Sequence, residues 1–192
     1  VTLGALAGFN ATSRAIEAYY VNGGTEPTTG KALVRLTYRY APAQDASAPY
    51  LFRCYKTVDG GTTFTDYSVA ARNASGATAD LASLDTLANG DAVYVAAEKA
   101  VVSMTFTITN VNGTAATLAV HYWNGSAWTA VSGLSDGTAA AGATVGQNGA
   151  VTWTAPGDEA TTRVNYLKAY WYRLTVSAAL DAEVNVDQIV LA

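Results

Sequence analysis

Charge is scarce in this chain. Only 14% of its 192 residues are Asp, Glu, Lys or Arg, against about 25% in ordinary soluble domains. One cysteine, Cys54, excludes an intrachain disulfide. With a single histidine, His121, it leaves too few nitrogen and sulfur ligands for a zinc site. No apolar run approaches the ~20 residues that span a bilayer, so no membrane insertion is expected. The opening VTLGALAGFN has no basic region and is broken by glycine, unlike a secretory leader. Lys and Arg total 11 and are scattered, and the net charge is −4. Binding to a phosphate backbone grows with the phosphates neutralised, so nucleic acid is not an expected partner. A chain of this length buries roughly 70% of its unfolded surface and needs neither metal nor disulfide for stability.

What is present is small, β-branched and aromatic. KALVRLTYRY (31–40), YLFRCYKTV (50–58), TTFTDYSVAA (62–71), ATADLASL (77–84), DAVYVAA (91–97) and VVSMTFTITNV (101–111) suggest strands. ATLAVHYW, SAWTAVS, GAVTWTA, NYLKAYWYRLTVSA and AEVNVDQIVLA continue the series. Turn signals recur every 8 to 12 residues, which predicts an all-β antiparallel β-sandwich or jelly roll. TSRAIEAYY (12–20) suits a helix or a strand. Residues 1–62 are expected as an N-terminal extension, an arm plus a strand pair, and 63–192 as the sandwich. Low charge with abundant small residues suits a subunit that buries its surfaces in an assembly, and suits an ordinary neutral β-protein equally.

The stretch HYWNGSAWTAVSGLSDGT (121–138) concentrates the candidate site residues. Asn124-Gly125 between alternating runs predicts a type I′ hairpin, pairing Trp123 with Ser126, Tyr122 with Ala127 and His121 with Trp128. Leu118, Val120, Tyr122, Ala127, Thr129 and Val131 then form the core face. His121, Trp123 and Trp128 gather on the other, as packing within the chain, a subunit interface or a sugar-stacking platform. In AYWYRLTV, Tyr170, Tyr172, Leu174 and Val176 share one face, and Trp171 and Arg173 the other, where a cation–π contact is expected between them.

Catalytic motifs are weak. Gly133-Leu134-Ser135-Asp136-Gly137 fits G-x-S-x-G, but a nucleophile elbow needs a strand–turn–helix and a later histidine; His121 precedes Ser135, and LSDGT suits a turn. Gly24-Thr-Glu-Pro-Thr-Thr-Gly30-Lys31 has five residues between glycines and Ala32 where a phosphate loop needs Ser or Thr. Asp158-Glu159 are adjacent carboxylates, and glycoside hydrolysis requires a carboxylate pair, but nothing in their spacing singles them out and they read as solvated loop acids. No Asp-x-Asp-x-Asp-Gly run supports calcium at Asp136 or Asp158. Sequons occur at Asn10, Asn73, Asn112 and Asn124, the last two in turn contexts. No catalytic residue, metal or cofactor is assigned.

From about residue 63 onward the order TTFTDYSVAA, LASLDTLANGDAVYV, VVSMTFTITNVN, YWNGSAWTAV, SDGT, NGAVTWTAP and AYWYRLTVSAAL resembles a β-sandwich domain of tailed-bacteriophage virion structural proteins. The marks are Tyr122-Trp123-Asn124-Gly125-x-x-Trp128, Asp136-Gly137-Thr138, Val151-Thr152-Trp153 before Pro156, and Tyr170-Trp171-x-Arg173. Many members carry Trp after that proline; here Gly157-Asp158 follow. The resemblance implies a non-enzymatic tail, neck or capsid-decoration component in a virion, a homo-oligomer docking on other virion proteins. The alternatives are a carbohydrate-binding module of a receptor-binding or cell-surface protein, taking a host glycan on His121, Trp123, Trp128, Trp171 or Arg173, and an extracellular filament subunit.

Overall fold

The computed structural model describes residues 51–72 and 76–192. Alternation of side chains along each strand sets the architecture. One sheet has the order β2 (Thr65–Asp66), β1 (Leu51–Val58), β4 (Asp91–Ala97), β11 (Leu167–Val176), β6 (Leu118–Trp123) and β7 (Trp128–Ala130), with β10 (Thr162–Val164) also pairing β11. The other has the order β3 (Ala79–Asp80), β12 (Asn185–Leu191), β5 (Ser103–Asn110), β9 (Gly149–Thr154) and β8 (Ser132–Asp136). The strand ladders are antiparallel. Two sheets face to face make the all-β sandwich that the turn spacing predicts.

Between them lies the main core. Val93, Val95, Val120, Tyr122, Tyr172, Leu174 and Val176 come from the seven-stranded sheet, and Met104, Phe106, Ile108, Val151, Trp153, Ile189 and Leu191 from the five-stranded one. Each such side chain contributes about 1.5–3 kcal/mol by leaving water. Cys54 lies in this core, and burial pushes its thiol up to about 12. It is inert as a nucleophile at neutral pH.

Carboxylates shape the loops. Asp136 accepts the Thr138 N–H and hydroxyl on Oδ1 and the Thr144 hydroxyl on Oδ2. Thr138 Oγ1 in turn accepts the Val145 N–H at 3.0 Å, holding that β-branched residue at φ 55°. Gly137 has a steric reason: a Cβ there would stand 2.5 Å from the Ala150 carbonyl oxygen. Asp59 gathers the Thr62 and Thr63 N–H groups, and the Thr63 hydroxyl and N–H hold its carboxyl down at about 2.

The structure corrects several local expectations. TTFTDYSVAA is not one strand: β2 takes two residues, then helix α1 (Ser68–Arg72) follows. Asp66 accepts the Ser68 N–H at 2.8 Å, turning the chain out of the extended path. ATADLASL keeps strand structure only at β3; Leu81 and Leu84 enter the core from a turn. The LSDGT turn is also displaced, since β8 runs through Leu134, Ser135 and Asp136 before the chain bends.

The β6–β7 hairpin closes through a four-residue loop instead of a two-residue type I′ turn. Trp123 pairs with Trp128, Tyr122 with Thr129 and His121 with Ala130. Asn124 Oδ1 accepts the N–H groups of Ser126 and Ala127, and in this loop only Gly125, at φ 98°, enters the left-handed region. Asparagine therefore shapes the turn with its side chain, not with its own φ. The register moves by two, a whole period, so the strand residues keep their faces, while Ala127, expected in the core, falls in the exposed loop. Val120 and Tyr122 are in the core, and Leu118 and Val131 pack against it.

β1 lies within the segment 1–62, yet its ladder with β4, from Arg53↔Ala96 to Val58↔Asp91, makes it part of the seven-stranded sheet. The readings at 12–20, 24–31 and 31–40 and the sequons at Asn10 and Asn73 fall outside the described residues. Asn112 is buried, bonded to Thr114, Thr144 and Asp181.

The β10–β11 hairpin carries a stored cost. Val164 pairs with Leu167 around Asn165 and Tyr166, at φ 44° and 67°. Both central residues of a type I′ turn need positive φ, and glycine is preferred at the second. Tyr166 is 95% exposed and gains no packing in return. Tyr166→Gly is expected to raise stability by about 1 kcal/mol, read as a higher urea midpoint at unchanged slope.

Candidate functional site

The outer face of the seven-stranded sheet carries a second cluster. β-sheet parity sends Tyr55 (β1), Tyr94 and Ala96 (β4), Trp171 and Arg173 (β11), His121 and Trp123 (β6) and Trp128 (β7) to this side. The registers join them: Tyr55↔Tyr94, Tyr94↔Arg173, Arg173↔His121 and Trp123↔Trp128. The rings form a continuous strip. Trp123 meets Trp128 at 5.7 Å, Trp128 meets Tyr94 at 5.5 Å, Tyr94 meets Trp171 at 6.5 Å, and Trp171 stacks on Tyr55 at 5.5 Å. Phe64 closes the far end against Tyr55 and Tyr94. Offset and edge-on ring pairs at these separations add about 0.5–1.5 kcal/mol each beyond their area.

The five site residues from the sequence separate into two groups. Trp171 is 1% exposed, and its Nε1 donates to the Leu167 carbonyl at 3.1 Å, so it serves as the buried centre of the cluster. His121, Trp123, Trp128 and Arg173 are half-buried at the strip's other end. The expected Trp171–Arg173 contact is replaced: Arg173 lies over Trp128, 5.2 Å from the ring centroid. Residues two apart on a strand are separated by about 6.6 Å. The Trp171 ring is taken up by Tyr55, leaving the guanidinium to turn toward Trp128. Burial, and then the Arg173 charge, hold the His121 imidazole below its ordinary pKa, so it is neutral at pH 7. Tyr55, Phe64 and Tyr94 are site members that sequence reasoning missed. Tyr94 had a signal, as the aromatic between two inward valines in DAVYVAA.

The Asp158-Glu159 pair ends up on tyrosine hydroxyls. Tyr122 and Tyr172 pair across β6 and β11. Tyr122 donates to Asp158 at 2.8 Å, and Tyr172 lies 3.2 Å from Glu159 while accepting the Val101 N–H at 2.8 Å. This arrangement ties the 155–161 loop to one end of the core. Ser135 is exposed on β8, in strand geometry and not at a strand–helix elbow. Among the described residues no group of three or more His, Cys, Asp or Glu could hold a metal ion, and no helix is long and apolar enough to cross a membrane.

Fold and surface together define an all-β sandwich with an aromatic, cation-bearing strip on one outer face. No family model matches the chain, and no curated protein or solved structure matches it either.

Burial, with Glu159 beside it, raises the Tyr172 pKa well above the ordinary phenol value, and the hydrogen bond to Asp158 raises that of Tyr122. A group whose folded pKa is raised contributes stability that is complete below its unfolded value, about 10 for tyrosine, and is lost as pH rises beyond it. The urea midpoint is therefore expected to fall on going from about pH 9 to pH 12. Tyr172→Phe should lower stability at pH 7 by about 1–3 kcal/mol, since the Val101 N–H loses its partner, and should flatten the alkaline decline.

Proposed function

We propose that this chain is a non-enzymatic structural subunit that assembles with copies of itself through uncharged β-surface. The observation that carries this reading is the outer face of the five-stranded sheet. Register places Ser103, Thr105, Thr107 and Thr109 of β5, Ala150, Thr152 and Thr154 of β9, Ser135 of β8, and Gln188 and Val190 of β12 on that side. None of these is charged; acids near them are Asp187, at the β12 bulge beside Gln188, and Asp80 on edge strand β3. Docking such a face removes methyl groups from water and re-pairs hydroxyls without stripping the hydration of ions, the step that makes buried charge costly. Val190 is 47% exposed in its midst.

The resemblance to virion domains of tailed bacteriophages supplies the setting: a tail, neck or capsid-decoration component, in contact with copies of itself and with other virion proteins. The sequence marks of that resemblance do structural work here. Asp136-Gly137-Thr138 is a loop clip, Val151 and Trp153 are core, and Asn124 shapes a turn.

Sedimentation velocity on the full chain over a wide concentration range, with mass spectrometry of density-purified virus particles from the source culture, tests both parts. The expected results are a discrete oligomer and many copies per particle. Thr105→Lys combined with Thr152→Lys should disperse the oligomer while leaving the thermal midpoint of the domain unchanged. A wild-type protein that stays monomeric at high concentration overturns self-assembly, and absence from particles overturns the virion setting.

A further inference from the structure

Two neighbouring nitrogens on the outer face of the seven-stranded sheet, Arg173 Nε and His121 Nδ1, are buried without a hydrogen-bond partner. The two residues pair directly across β11 and β6. Buried polar atoms are nearly always paired, so each exception asks for a reason. The Arg173 guanidinium lies over Trp128, and among the described residues no carboxylate pairs with it. A positive charge therefore sits half-buried on an aromatic floor, in a chain whose net charge is −4.

Beside it stand two half-buried indoles, Trp123 and Trp128, edge to face and each partly open to solvent. Trp123 is two residues along β6 from His121, about 7 Å from the Arg173 row. That is the separation between the centre of a sugar ring stacked on an indole and a guanidinium gripping an acid group at the ring's edge. A neutral sugar would cover the rings and leave the cation unpaired. A carboxylate side chain of another protein would pair the cation and leave the rings uncovered. A pyranose bearing an equatorial carboxylate uses both, its C–H face on Trp123 and its carboxylate on the Arg173 Nη atoms.

We propose that the His121, Trp123, Trp128 and Arg173 end of the strip is a binding site for uronic acid residues of an acidic polysaccharide. The site lies on the side of the sandwich away from the uncharged face, so it does not rest on the assembly reading, and both faces operate at once.

The test uses the full chain with trigalacturonate and trimannuronate, each beside its methyl ester, followed by tryptophan fluorescence and calorimetry. Saturable binding is expected for an acid form and binding weaker by about tenfold or more for its ester, as the loss of a charged hydrogen bond requires. Added salt should weaken only the acid form. Arg173→Met, which keeps the packing of the stem, should lose this preference while keeping the wild-type circular dichroism. Trp123→Ala should lose binding of both forms. Where a variant fails to fold, the acid–ester comparison on the wild type decides alone. No saturable response to either trimer, or equal affinity for acid and ester, overturns the proposal.

Discussion

β11 is the strand on which both halves of the molecule lean. Tyr172, Leu174 and Val176 point into the space between the sheets, while Trp171 centres the outer cluster. A strand buried on both faces ordinarily shows as an unbroken apolar run. Here the sequence is YWYRLTV, amphipathic side chains that carry a polar handle on each side. Each handle has work: Tyr172 binds Val101 and Trp171 binds the Leu167 carbonyl. Its neighbours β4 and β6 are positioned by the same alternation, so Tyr94, His121 and Trp123 reach the outer side because Val95, Val120 and Tyr122 must reach the inner one.

A chain poor in charge spends its acids on its own backbone. Asp59, Asp66, Asp80, Asp91, Asp136 and Asp181 each accept a main-chain N–H in a loop or beside one. Threonine and serine hydroxyls complete several of these clips, which accounts for the recurrence of Asp-Gly-Thr and Asp-Gly-Gly-Thr in a protein of many short strands. Carboxylates committed in this way are dispersed among the loops, with Asp85 and Asp91 sharing one. Even the adjacent Asp158-Glu159 pair is divided between two tyrosine hydroxyls.

Period-two patterning made the sandwich and the face of each long strand legible, and it survived a wrong turn assignment. The Asn124 loop moved the β6–β7 register by two residues and left Trp123 and Trp128 on the face expected for them. What patterning could not supply was cross-strand partnership. The Arg173 guanidinium could be placed on the same side as Trp171 from spacing alone, but its choice of Trp128 depends on the order of β11, β6 and β7 in the sheet. The same limit hid Tyr55 and Phe64, whose strands are distant in sequence from the tryptophans they reach. Short elements were lost for another reason. In TTFTDYSVAA the local bond from Asp66 to Ser68 outweighs β-propensity.

The two outer faces show how one rule yields two surfaces of opposite character. On the five-stranded sheet the outward positions are hydroxyl and methyl groups, which resist no neighbour and select none strongly; such a face suits repetition, where the partner is another copy with the same chemistry. On the seven-stranded sheet the outward positions include indoles, phenols, the His121 imidazole and the guanidinium of Arg173, with Arg53 on the same side of β1, groups whose geometry discriminates among ligands. Holding Arg173 there costs desolvation that Trp128 offsets only in part, because a ring face is a weaker partner for a cation than a carboxylate. Packing alone would be served as well by methionine or leucine at that position. The proposed uronic-acid site gives the retained charge a role that packing does not, since a cation without a carboxylate partner favours an acid over its ester.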